Sequence, residues 1–381
     1  LLMLRFLLTK SKRFDMGIRT NIIFSVFWLL ISCLLTATNS VYASAAPGSK
    51  DNTQTSAKSI SLDDTNLLYR GRVTDSKKFS LTGSGLSFSI SGGSIWASFT
   101  TNNKTQAALN IVIDGDDKTL ILRPGSHRYL IADELPQGSH NINILKRNEA
   151  GKGSVQLTKL EINSSHHLMH TQRQQHRLLA IGDSITCGYG NEATHNDEGN
   201  TVSNQNGYQT YSAIAARALQ SDLMIVCWSG RGISRNRSLK NDDVGLLPQL
   251  YHYILPNEAQ QNWQPADFVA DHILINLGTN DNANSKTKGK LNKDLYLDAY
   301  QSFINTLRND HPGAHLIFAI GPMNAGEISH WLPELVEKNE NSSTLIFTPF
   351  KDNSEIGGHY HPHVSKHIKM SEQLSEHIKS L

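Results

Sequence analysis

The 381-residue sequence predicts two domains in series, an N-terminal β-sandwich of jelly-roll-like form and a C-terminal α/β/α domain around a parallel five-stranded sheet. Two observations predict this. From Leu67 to Ile162 the apolar residues recur with period two between Gly-rich turns, and after Arg177 short apolar runs alternate with helix-period stretches. A third observation, a polar, histidine-rich connector at 164–176, separates the two patterns. At 38% hydrophobic and 18% charged residues, the chain has the composition of an ordinary globular protein long enough for two cores.

The N-terminus reads as an export signal over residues 1–45. Arg19 precedes the apolar "NIIFSVFWLLISCLLTAT", and "VYASAAPG" follows with small residues suited to cleavage after Ala43 or Ala45. Leu1 is not a natural initiator, and Met16 opens a tidier signal, so the first fifteen residues read as an over-long start. The alternatives are an uncleaved membrane anchor, or a lipoprotein attached at Cys33 of "LISC". Processing would leave 31 basic and 33 acidic residues, a net charge of −2, in place of the formal +2. With no basic stripe to neutralise phosphates, no nucleic-acid partner is expected. The mature chain is expected to be exported, periplasmic or secreted, without membrane contact unless lipidated, and monomeric. Only Cys187 and Cys227 survive processing; they could form one bridge or be small buried hydrophobes.

Residues 46–66 read as a flexible lead-in and 67–163 as the sandwich. Leu86, Phe88 and Ile90 alternate with polar neighbours, as do Ile95, Ala97 and Phe99, then Leu109, Ile111 and Ile113. His166, His167 and His170 in the connector lack a carboxylate or cysteine to complete a ligand set, so they predict an exposed linker and no metal. In 177–381 the strand candidates are Leu178–Ile181, Leu223–Trp228, Ile273–Leu277, Leu316–Ile320 and Leu345–Phe347. Helix stripes fall at Tyr211, Ile214, Ala215, Ala218 and Leu219, at Tyr300, Phe303, Ile304 and Leu307, and at Met370, Leu374, Ile378 and Leu381. Buried strands alternating with amphipathic helices predict a parallel sheet covered on both faces, with ligands beyond the strand C-termini.

Polar constellations sit at those ends. Gly182-Asp183-Ser184 follows the first strand, "CWSGRGISRN" the second and "INLGTND" the third; "GGHYHPHVSKH" lies before the last helix. Singly, each has a structural explanation as a cap or turn. Together they supply the serine, histidine, exposed glycine N–H and asparagine amide that acyl transfer needs. Trp228 and Arg231 flank the glycine and are candidate substrate contacts, though Trp228 would equally suit the core.

The order GDS, SG, GTND and a late HP resembles the SGNH (GDSL-type) hydrolases. With the preceding β-domain and its landmarks "LLYRGRV", "VIDG" and "LPQGSHNINILKRNE", and with "WSGRGISRN" and "HPHVSKHIKMSEQL", the chain from about Leu67 to Leu374 is similar to carbohydrate esterase family 2. The resemblance implies an acetylxylan-esterase-like enzyme that removes O-acetyl groups from plant cell-wall polysaccharides, often at a hexose 6-position, without metal or organic cofactor. It implies Ser184 as nucleophile, His361 as general base, and an oxyanion hole from the Ser184 and Gly230 N–H groups and the Asn280 side chain. Many relatives carry an aspartate two residues before the histidine; here His359 stands there as a possible orienting residue, with Asp352 and Glu355 near in sequence. His359, His361 and His363 alternate, but Pro362 interrupts them and no metal is expected. The competing expectations are an SGNH esterase acting on lipid or peptidoglycan esters, and a catalytically impaired glycan-binding protein.

Overall fold

The computed structural model describes residues 56–381 apart from 103–105, 239–244, 259–260, 284 and 324. The expected export signal lies outside the described residues. Period two does what the sequence implies in the N-terminal half: two antiparallel sheets pack face to face. One runs in the order Ala57–Ile60, Val155–Asn163, Gly93–Thr101, Gly125–Leu135; the other runs Leu168–Met169, Gly85–Ile90, His140–Lys146, Ala108–Ile113, Asp116–Ile121. Leu86, Phe88, Ile90, Ile95, Ala97, Phe99, Leu109 and Ile111 meet in its core. Two short strands differ from expectation. Ala57–Ile60 falls in the expected lead-in, where it pairs with Leu160–Asn163, and Leu168–Met169 falls in the expected linker, where it pairs with Ser89 and Ile90. Both are edge strands too short to show a period.

The C-terminal half begins with β1 (His176–Gly182), followed by β2 (Ser221–Cys227), β3 (His272–Asn276), β4 (His315–Ile320) and β5 (Ser342–Ile346), numbered within this domain. They form one parallel sheet in the order β2-β1-β3-β4-β5. Neighbouring residues on a strand face opposite sides, so each strand feeds two cores. Leu179, Ile181, Ile273 and Ile275 pack with helices α2 (Lys293–Asp310) and α3 (Ile328–Lys338). Leu178, Leu274, Ile317 and Ala319 pack with α1 (Tyr211–Ala218) and α4 (Val364–Lys379).

The two halves share more than a linker. Leu81 and Ala150 of the sandwich belong to the apolar cluster of the parallel sheet. Arg72, 1% exposed, donates to the carbonyls of Tyr251 and Tyr253 and lies 4.0 Å from the Trp263 ring. Arg70 pairs with Asp222, and Lys78 pairs with Glu258 at 2.6 Å. A buried cation held by carbonyls and an aromatic face costs too much to form by chance contact, so this face is built into the fold.

Candidate active site

β1 delivers Ser184. The strand ends at Gly182, where a Cβ would overlap Thr186 Oγ1. Asp183 caps the short helix Ser184–Cys187, its carboxylate accepting the Ile185 N–H at 3.0 Å. Ser184 is the first helical residue, so its N–H has no partner within the helix. Cys187, at the other end of this turn, forms a disulfide with Cys227 at the end of β2.

His361 arrives on the loop between β5 and α4, and its Nε2 lies 2.8 Å from Ser184 Oγ. Its Nδ1 faces two acceptors, the carbonyls of His359 at 3.0 Å and Gly358 at 3.2 Å. A nitrogen facing only acceptors carries the proton, so Nε2 is left free to accept from the Ser184 hydroxyl. Burial pushes the His361 pKa down to about 4, against the raising effect of the two carbonyls. The Tyr189 ring stacks on the imidazole at 4.2 Å.

The expected orienting role of His359 takes another form. Its side chain turns away, with Nδ1 3.0 Å from Tyr189 Oη, and its main-chain carbonyl is the atom that meets His361. The turn places His359 and Tyr360 at φ 50° and 62°, which brings two successive carbonyls toward one ring. Asp352 and Glu355 do not reach it: Asp352 caps Ser354, and Glu355 is buried against Lys366 and Lys369. His363 caps α4 through Ser365 N, so the three alternating histidines diverge. Among the described residues no group of three His, Cys, Asp or Glu side chains is placed to hold a metal ion.

Gly230 adopts φ 81°, its carbonyl accepts the Arg237 N–H at 2.8 Å, and its own N–H has no protein acceptor among the described residues. Trp228 N–H donates to Gly182 O at 3.3 Å, which sets this loop beside the end of β1. Asn280 is 2% exposed, and its Nδ2 donates to Asp183 Oδ2 at 3.1 Å and Arg231 O at 2.9 Å. Both neighbours are acceptors, which fixes the amide with nitrogen toward them; a substrate oxygen would compete for these N–H groups. Burial raises the Asp183 pKa to about 7.

Of the expected substrate contacts, Arg231 is placed inside. It is 3% exposed, with Nη1 donating to Gly245 O at 3.3 Å. Trp228 is half-buried and packs at the edge of the sheet's apolar cluster. Sequence reasoning missed Tyr189, Tyr360 (64% exposed and adjacent to His361) and Glu149, which enters from the sandwich. Spacing from Ser184 and His361 would have flagged the two tyrosines; nothing local flags Glu149.

Residues 69–171 match the family model described as carbohydrate esterase 2 N-terminal, and residues 180–342 match that of the GDSL-like lipase/acylhydrolase family. A cellulase/esterase, CelE, of Acetivibrio thermocellus is 29% identical over 332 residues, covering 84% of this chain. The chain spans 40% of that relative's length. An acetylxylan esterase / glucomannan deacetylase of Cellvibrio japonicus is 26% identical over 364 residues, 92% of this chain and 99% of that one. Among solved structures, a family two carbohydrate esterase from Clostridium thermocellum in complex with cellohexaose superposes with a TM-score of 0.76. It is 28% identical and covers 82% of this chain and 98% of its own.

Proposed function

Because the chain belongs to carbohydrate esterase family 2 and is a carboxylic ester hydrolase, we propose that it is an exported O-acetylesterase working through an acetyl-serine intermediate. Its substrates are acetylated polysaccharides or oligosaccharides. The observation that carries the reading is the 2.8 Å contact between His361 Nε2 and Ser184 Oγ, with the ring already in the accepting tautomer. Ser184 Oγ attacks the acetyl carbonyl carbon while its proton passes to Nε2, and the carbonyl π pair moves onto oxygen. The N–H groups of Ser184 and Gly230 and the Asn280 amide receive that oxyanion. Collapse breaks the ester bond, and the departing sugar oxygen takes the proton from Nε2. Water then gives a proton to Nε2 and attacks the acetyl-enzyme, releasing acetate and restoring Ser184.

The imidazolium formed in each half-reaction is held by two carbonyl dipoles, with no carboxylate on Nδ1. The exposed ring of Tyr360, next to His361 in the sequence, offers an apolar face with a polar tip, the kind of surface on which a sugar rests. The Cys187–Cys227 bridge supports an oxidising destination. All the groups invoked come from one chain, so the reading needs no second copy. Among the described residues no helix is long and apolar enough to cross a membrane.

The test is turnover of 4-nitrophenyl acetate by the mature chain and by Ser184→Ala. The variant should fold and lose at least about 10⁴ in kcat. Substantial activity in the folded variant would overturn the mechanism. Acetate release from acetylated mannan, xylan and peptidoglycan then ranks the substrates.

A further inference from the structure

The central strand of the second sandwich sheet, His140–Lys146, runs into Lys146-Arg147-Asn148-Glu149, four polar residues that are 0%, 2%, 0% and 4% exposed. Lys146 donates inward to the carbonyl of Asn148 at 2.9 Å. Arg147 binds Glu192, and its carbonyl accepts the Gly207 N–H at 2.7 Å. Asn148 donates to Gln106 O at 2.8 Å. Glu149 leaves its own domain: one carboxylate oxygen accepts the Ser229 N–H at 2.8 Å, and the other accepts the Ser229 hydroxyl at 2.8 Å. Gln205 Nε2 reaches the same carboxylate at 3.4 Å and also Cys187 O at 3.3 Å, which joins it to the nucleophile's helix.

We infer that Glu149 is a positioning residue for the oxyanion hole, a carboxylate lent by the sandwich that aims the Gly230 N–H. The inference rests on the site proposed above. The Gly230 N–H lies in the rigid peptide plane that begins at the Ser229 carbonyl, so its direction follows the Ser229 backbone. Gly230 has no side chain to hold it and sits at φ 81°, where glycine moves freely. Two clamps remove that freedom: Glu149 grips Ser229 on one side, and the Arg237 N–H holds the Gly230 carbonyl on the other. Three donors converge on Glu149, and an ionised carboxylate meets them with acceptors alone. A glutamine of the same shape would turn an N–H toward one of them. Angular drift of a donor on this scale costs transition-state binding far more than substrate binding.

The competing electrostatic expectation runs the other way. A negative charge near a developing oxyanion opposes it, so if charge dominated over aim, neutralising Glu149 would raise kcat. The test compares Glu149→Gln and Ser229→Ala with the wild type and with Ser184→Ala, each confirmed folded by circular dichroism. The readouts are kcat and KM on 4-nitrophenyl acetate and the inhibition constant of phenylboronic acid, whose tetrahedral adduct places an oxygen in the hole. Glu149→Gln should lower kcat by about 10–10²-fold and weaken the boronate by a similar factor, with KM within about twofold. Ser229→Ala, which keeps the N–H contact, should lose about three- to tenfold, and the double variant should lose less than the product of the two. Wild-type or raised kcat in Glu149→Gln, or a loss confined to KM, overturns the inference. Should Glu149→Gln fail to fold, an unchanged kcat and boronate affinity in Ser229→Ala overturns it. Activity surviving in Ser184→Ala would bring down the site and this inference together; an inactive Ser184→Ala beside an unaffected Glu149→Gln would bring down this inference alone.

Discussion

The two members of the catalytic pair are held by opposite means. Ser184 stands at the tip of a buried strand, and its short helix is bonded covalently to β2 through Cys187–Cys227. His361 stands on an irregular loop fastened by charge. Glu355 in that loop contacts Lys366 at 3.1 Å and Lys369 at 2.5 Å on α4, accepts the Lys351 N–H at 2.8 Å, and its carbonyl takes the His363 N–H at 2.9 Å. A covalent cross-link is indifferent to pH, whereas an ion pair is indifferent to reductant. One active site therefore carries two separate vulnerabilities, one on each side of the 2.8 Å contact.

Breaking the charged side should have the largest effect on stability. Glu355→Gln strands the buried Lys366 ammonium and should cost about 3–5 kcal/mol in urea unfolding. The same pair gives a pH signature. The two lysines and the Lys351 N–H hold the Glu355 carboxyl down to about 2, despite its burial, against an ordinary value of 4.5. Its stabilisation is therefore complete above about pH 4.5 and is lost as the pH falls toward 2. The variant should lack that acid-dependent step, and an unchanged step would assign it to another group.

Removing the cross-link comes next. With a sequence separation of 40 between the cysteines, chain entropy gives up to about 4 kcal/mol for Cys187→Ala with Cys227→Ala. That loss should be the same at pH 5 and pH 8; a strongly pH-dependent loss would break the contrast between the two sides.

The smallest effect belongs to His359. Its side chain faces Tyr189 and only its carbonyl meets His361, so His359→Ala should lower kcat less than about tenfold, far below the 10⁴ of a neutralised triad carboxylate. The acid limb of kcat/KM should stay near pH 4, because desolvation sets the His361 pKa. A loss as deep as that of His361→Ala would make the His359 ring a third member of the catalytic machinery.

What the sequence disclosed follows the same division. Ser184 is legible because its position is built from local signals, an apolar strand running into Gly-Asp-Ser. The five strands and the helix stripes at Tyr211, Tyr300 and Met370 are legible for the same reason, since one periodicity fixes each. The support of His361 is not, because it comes from main-chain carbonyls aimed by two residues at positive φ, and side-chain identity says nothing of them. Asp352 and Glu355 look alike at sequence level; only the fold separates an exposed cap from a buried ion-pair partner. Arg231 stands out in the sequence for its place beside Gly230, and its burial is visible only in the fold. The cysteine pairing depends on the ends of β1 and β2 being neighbours, which strand order supplies and residue spacing does not.

The buried run Lys146–Glu149 bears on how this protein can be recombined. A sandwich joined by a flexible linker is an interchangeable part, and a graft boundary at the linker would leave both pieces whole. Here the sandwich carries a run of four buried side chains whose partners include Glu192, Gln205 and Ser229 of the other half. A chimaera cut at residue 164 would pair a foreign tetrapeptide with native sockets, and each mismatch would strand a buried polar group. Exchange is possible only if residues 146–149 travel with the loops at 188–207 and 228–237. The unit of inheritance is thus a mosaic that crosses the domain boundary, and homologous sandwiches are expected to co-vary with those loops more tightly than with their own outer strands.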